Sequence, residues 1–123
     1  MYSQLNPLER DVLEMLLAGS HPSLKTLRLQ LQRADIQREM TGVGFYLQFA
    51  LPDATPRIRP ESCRFGDVHA ELAGLKYGVG FLLFIDNGQL SQLEAYTYDE
   101  RWPETLGAYA LRYSKQERSL PFI

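Results

Sequence analysis

The chain has 123 residues, 45% of them hydrophobic and 23% charged, which suits one domain able to bury a core without disulfides or metal staples. Its formal net charge of -2 excludes the strong basic excess of a dedicated nucleic-acid binder. A single cysteine, Cys63, excludes an internal disulfide, and the longest apolar run, Val79 to Ile85, is too short to span a membrane.

These features predict a cytoplasmic domain with no cofactor, no nucleic-acid partner and no membrane segment. The opening stretch MYSQLNPLERD carries no basic region followed by an apolar core, so it does not read as a signal peptide.

Asn6-Pro7-Leu8-Glu9 reads as a helix start. Asn6 can cap, Pro7 suits the first helical position, and Glu9 follows three residues after the cap. Leu8, Val12 and Leu16 form an apolar stripe, and Gly19 is a natural stop. A second start follows, with Ser20 or His21 as cap and Pro22 opening the helix. Leu24, Leu27, Leu31 and Ala34 fall on one face. The expectation is a helical hairpin over about residues 6–18 and 22–34. His21 reads as a cap rather than a ligand.

The period then changes to two. Val43, Phe45, Leu47, Phe49 and Leu51 alternate with Gly44, Tyr46, Gln48 and Ala50, which predicts a strand with one apolar face. Ile36 to Met40 is either its extension or a separate short strand, with Thr41-Gly42 as a bend. Pro52 to Pro60 reads as a surface loop. Asp67, His69 and Glu71 alternate with Val68, Ala70 and Leu72 in a half-buried strand.

Val79 to Ile85 is apolar on both faces and predicts a central strand. Asn87-Gly88 predicts a tight hairpin. The return strand, Gln89 to Tyr98, slips its pattern, because Leu90 and Leu93 cannot share a face without a bulge near Ser91-Gln92. After Pro103 the pattern is ambiguous, and Ala108 to Tyr113 reads as a strand. The apolar tail Ser119-Leu120-Pro121-Phe122-Ile123 reads as a segment for docking on the body or on a neighbouring subunit.

The fold class is α+β: an N-terminal helical hairpin on one face of a mainly antiparallel sheet of about four to six strands, spanning roughly residues 36–113 of a single domain, 1–123. The helices should cover the face made by Val43, Phe45, Leu47, Phe49 and Leu51. The other face then carries Tyr46, Gln48, Asp67, His69, Glu71, Glu94, Tyr96 and Tyr98, with Asp99, Glu100 and Trp102 at its edge. Tyrosine and tryptophan supply contact area at low entropy cost, so Glu94, Tyr96, Tyr98, Asp99, Glu100, Trp102, Asp67, His69 and Glu71 are the candidate partner-binding residues. A solvated outer sheet face explains the same composition equally well.

Asp67-x-His69-x-Glu71 could hold a divalent ion, but neighbours on one strand diverge and a further ligand is needed; a charged exposed strand is the simpler reading. Cys63 has no catalytic signature around it. There is no phosphate-binding glycine loop, no HExxH and no CxxC. Trp102-Pro103 reads as a strand stop, with the indole on the sheet edge.

The segments Gly78-Val79-Gly80-Phe81-Leu82-Leu83-Phe84-Ile85-Asp86-Asn87-Gly88 and Leu93-Glu94-Ala95-Tyr96-Thr97-Tyr98-Asp99-Glu100-Arg101-Trp102-Pro103 are similar to the C-terminal half of a group of short bacterial proteins. Gly42-Val43-Gly44-Phe45 and Gly66-Asp67-Val68-His69-Ala70-Glu71-Leu72 resemble the same group. In size and architecture such proteins resemble immunity proteins that neutralise bacterial toxins, by analogy only. The resemblance implies a non-catalytic domain that occludes a protein partner, such as a basic toxin domain, one to one. Two alternatives stand beside it. One is a small hydrolase or transferase using His69 and nearby carboxylates. The other is a homodimer built through a sheet edge or the tail.

Overall fold

The computed structural model describes residues 4–122, so Met1 to Ser3 of the opening stretch and Ile123 of the tail lie outside the described residues. Helix α1 spans Pro7–Leu16 and α2 spans Pro22–Arg33. Seven strands follow: β1 (Asp35–Met40), β2 (Gly44–Ala50), β3 (Cys63–Phe65), β4 (Val68–Leu72), β5 (Val79–Asp86), β6 (Gln89–Tyr96) and β7 (Tyr109–Tyr113). Among the described residues no helix is long and apolar enough to cross a membrane.

Both helices start as their sequences predict. The Asn6 side chain accepts from the Glu9 N–H and the Glu9 carboxylate accepts from the Asn6 N–H, each at 2.9 Å. This reciprocal pair satisfies two N–H groups that the first turn leaves without helical partners. At α2 the His21 Nδ1 accepts from the Ser23 N–H at 3.1 Å, so His21 is the cap.

The sheet runs β1-β2-β6-β5-β4-β7 with every pairing antiparallel. Strand β3 also pairs with β5, beyond the end of β4. Residues 63–72 thus form one line beside β5, broken at Gly66-Asp67. The backbone passes so close to β5 at this break that only glycine fits: a Cβ at Gly66 would lie 1.9 Å from the Phe81 carbonyl oxygen. The pattern shifts there, so Phe65 and Val68 are both buried although three residues apart. The Ile36–Met40 segment is a separate strand, and the sheet has one strand more than the upper expectation because β3 is too short to show a period.

The predicted turn and bulge are both present. Asn87 (φ 55°) and Gly88 (φ 74°) occupy the left-handed region that a two-residue hairpin needs. Opposite β6, Phe84 pairs with Gln92 while Ile85 pairs with Leu90, leaving Ser91 as the extra residue. That bulge lets Leu90 and Leu93 enter the core together.

The core lies between the helices and one sheet face. Leu8, Val12, Leu13, Leu16, Leu24, Leu27 and Leu31 meet Phe45, Leu47, Phe81, Leu83 and Leu93, all essentially inaccessible. Helix α2 lies over β6, and α1 approaches β4 and β7. One expectation for this face fails: Val43 is 49% exposed. It precedes the first β2 residue at the tip of the β1–β2 hairpin, beyond the reach of the helices. The tail docks on the body, with Leu120 buried and Phe122 edge-on to Phe65 at 5.8 Å.

Gln30 ties α2 to the far end of the sheet. It is fully buried; its amide N–H donates to the Pro56 and Gly88 carbonyls at 2.8 and 3.0 Å, and its oxygen accepts from the Leu90 N–H at 2.9 Å. One side chain thereby satisfies the irregular loop and the β5–β6 turn together. Replacing it by leucine, of similar size, leaves three backbone groups without that partner. Gln30→Leu is expected to lose about 2–4 kcal/mol of stability in urea denaturation. An unchanged midpoint would contradict this role.

Candidate functional site on the open sheet face

Strand pairing arranges the uncovered face in three rows. The first runs Gln37, Gln48, Gln92, Phe84 and Arg64. The second runs Glu39, Tyr46, Glu94 and Leu82. The third runs Gly44, Tyr96, Gly80, His69 and Arg112. Glu71 stands beside the third row, opposite Ala110.

The aromatic groups on this face touch. The Tyr96 ring meets Tyr98 edge-on at 5.7 Å, and Tyr98 stacks on His69 at 6.5 Å. His69 Nε2 lies 3.3 Å from Glu71 Oε1. At the other end of the strip the Tyr46 hydroxyl donates to Glu94 Oε2 at 3.3 Å. Burial of its ring pushes the Tyr96 hydroxyl's pKa up, with Tyr98 and Glu94 adding to the effect. The negative charge of Glu94 raises that of Tyr46, helped by desolvation and by Glu39. Both phenols therefore stay neutral donors at ordinary pH.

Two glycines make room for the strip. A Cβ at Gly80 would sit 2.5 Å from Tyr96 Cζ, so the Tyr96 ring lies across bare backbone of the neighbouring strand. At Gly78 (φ 74°) a Cβ would meet the Ala70 carbonyl oxygen at 2.4 Å and His69 Nε2 at 2.6 Å. Gly78, just before β5, and Gly80, within it, both serve side-chain packing here.

Beside His69 the face dips into an open basin of about 690 Å³, walled by Tyr77 and Tyr98 and edged by Glu71, Asp99, Lys76 and Arg112. The Lys76 ammonium sits 5.3 Å from the centre of the Tyr77 ring.

Six of the nine sequence candidates meet on this face or its rim: Glu94, Tyr96, Tyr98, Asp99, His69 and Glu71. The other three are held elsewhere. Asp67 precedes β4 at the strand break, where its carboxylate takes a two-point contact from Arg118, at 2.6 Å from Nε and 2.9 Å from Nη2. It therefore does not join His69 and Glu71, and among the described residues no three His, Cys, Asp or Glu side chains gather as a metal site would require. Trp102 packs edge-on against Phe45 at 5.5 Å, on the core side, and its backbone N–H donates to the Gly42 carbonyl. Glu100 accepts from the Lys76 and Tyr77 N–H groups at 3.0 and 2.9 Å and so holds the β4–β5 connection that forms the basin wall.

Other contributors have no signature in the sequence. Leu82 and Phe84 belong to a run apolar on both faces, and only the absence of a covering layer leaves them half-exposed. Glu39 and Arg112 reach the face through pairings of β1 and β7, whose registers no local pattern specifies. Cys63 sits in β3 with its thiol pKa raised by burial, the opposite of an activated nucleophile.

Two measurements check this geometry. Because Gly80→Ala crowds the far end of a side chain, its cost should come from displacing the Tyr96 ring. In a double-mutant cycle, Gly80→Ala should cost at least about 0.5 kcal/mol less in a Tyr96→Ala background than in the parent; additive effects would contradict the contact. The two backbone donors hold the Glu100 carboxyl below its ordinary pKa. Its contribution is complete above the unfolded carboxyl pKa of about 4 and is lost as pH falls through the lower folded value. Glu100→Gln should therefore flatten the acid limb of the stability–pH curve between about pH 5 and 3, and speed amide exchange at Lys76 and Tyr77. An acid limb as steep as the parent's would show that these bonds carry no stability.

No protein-family model matches the chain, and no curated protein or solved structure is significantly similar to it.

Proposed function

We propose that the chain is a non-catalytic protein-binding domain that acts from the cytoplasm as an immunity-type inhibitor, occluding a bacterial toxin one to one through its open sheet face. The observation that carries this reading is the strip Tyr46–Glu94–Tyr96–Tyr98–His69–Glu71 on the sheet face opposite the helices, with Tyr98 lying over His69. Tyrosine rings held on a rigid sheet lose little entropy on docking, and carboxylates between them favour a basic partner and accelerate its approach. The toxin-inhibitor context is an analogy, drawn from the resemblance that the sequence suggests around Gly78–Gly88 and Leu93–Pro103.

A second reading has one observation behind it. The His69–Glu71 contact at the edge of an open basin suits proton transfer in a small hydrolase or transferase. The two readings part on His69→Ala, which abolishes turnover in an enzyme and leaves a binding protein catalytically silent before and after.

The test uses photo-crosslinking side chains placed in the native cell at Tyr98 and, as a control on the helical side, at Leu29. The partner captured through Tyr98 is then purified and titrated. The expected result is a 1:1 complex whose toxin activity falls in proportion to added chain up to equivalence, with Tyr96→Ala weakening binding by about tenfold or more. A partner captured equally from Leu29, or bound as tightly by Tyr96→Ala, would overturn the reading.

A further inference from the structure

The charges on the open face are unevenly distributed. Strands β1, β2 and β6 present Gln37, Glu39, Tyr46, Gln48, Gln92, Glu94 and Tyr96 there, with acid as the only formal charge. The cations of this face, Arg64 and Arg112, lie on the opposite side, on β3 and β7. Arg38 belongs to β1 but points to the helical side, where it pairs with Glu9. Neither Glu39 nor Glu94 takes part in an ion pair among the described residues.

Glu94 is placed between two phenol rings. Tyr46 donates to its Oε2, and its charge acts on the hydroxyls of both Tyr46 and Tyr96. Among the described residues no side chain or backbone N–H donates to its Oε1. A guest for this position needs positive charge, at least one N–H aimed at a carboxylate oxygen, and a flat face to lie on tyrosine. An ammonium supplies the charge as a hydrated point. A guanidinium supplies all three, through its fork of donors and its planar surface.

Resting on the protein-binding reading above, we infer that the open face recognises an arginine side chain of the partner, seated between Glu39 and Glu94 on the Tyr46–Tyr96 side of the sheet. Lysine at the same point of the partner is a poor substitute. The basin by His69 is the less suitable seat, because Lys76 and Arg112 already supply positive charge at its edge.

The probes are two blocked pentapeptides, Gly-Arg-Gly-Arg-Gly and Gly-Lys-Gly-Lys-Gly, titrated into the isotopically labelled full chain at low salt and followed by amide chemical shifts. The arginine peptide is expected to move the signals of Glu39, Tyr46, Glu94 and Tyr96 and to bind about fivefold or more tightly than the lysine peptide. Glu94→Gln should reduce its affinity by about fivefold, whereas Glu14→Gln, exposed on α1 on the helical side, should not. The unperturbed remainder of each spectrum shows that the fold is kept. Equal affinity for the two peptides, no binding of either, or shifts centred on the basin would each overturn the inference. If the peptides fail while crosslinks from Tyr98 still yield a 1:1 complex, the arginine seat falls and the binding face stands. If the crosslinks fail while the arginine peptide binds as expected, the reverse holds.

Discussion

The Glu9–Arg38 pair joins the first turn of α1 to the edge strand β1, with Arg38 Nε 2.6 Å from one carboxylate oxygen and Nη2 2.5 Å from the other. Glu9 is fully buried and also completes the cap at Asn6, so its charge is taken from water only because three donors replace the lost hydration. At the other end of the helix the opposite edge of the sheet does the matching work. The Tyr109 hydroxyl donates to Asp11 and the Tyr113 hydroxyl to the Met15 carbonyl, each at 2.7 Å. Arg118 donates to the Leu16 and Ala18 carbonyls, and Arg28 to those of Leu17 and Gly19. A helix of ten residues is marginal by itself, and its terminal carbonyls need partners. Cations at its C-terminus also suit the helix dipole.

That clamp dictates the shape of everything else. Strands β1 and β7 are the two ends of the sheet order, and both reach the same short helix. The sheet must therefore curl around α1, in keeping with the natural twist of β-structure. A curled sheet with helices in its concave side has one face left for solvent or a partner. The outer edge of β1 is itself guarded: the Ile36 N–H donates to the Gln4 side chain at 3.0 Å. This occupies one backbone donor of the edge strand.

The residues that frame this face are as informative as those on it. Asp67, with Arg118, anchors the strand break just ahead of β4, which pairs with β5 on one side and β7 on the other. Trp102 braces the end of β6 against Phe45. Asp99 adopts a left-handed conformation (φ 65°), and the Thr97 hydroxyl closes the same turn by donating to the Glu100 carbonyl. These contacts turn the chain so that Tyr98 returns over His69 instead of running off the sheet. The cluster of aromatic and acidic residues from Leu93 to Glu104 thus divides its labour. Glu94, Tyr96 and Tyr98 face outward, while Trp102 and Glu100 hold the frame.

The sequence by itself determined the local features, because each rests on residues within a few positions of one another. Asn6 and Glu9 specify a cap, Asn87-Gly88 specifies a turn, the mismatch of Leu90 and Leu93 specifies a bulge, and alternation places Glu94 with Tyr96 and His69 with Glu71. Only the tertiary structure decided which of those side chains meet. Joining Glu94 to Tyr46, or Tyr98 to His69, depends on registers between strands distant in sequence. Diverting Asp67 depends on Arg118, fifty-one residues away. Exposing Leu82 and Phe84 depends on both helices of the described residues lying on the other face. Long-range pairing is set by the sum of many weak contacts across the whole core, and no short stretch of sequence contains that sum.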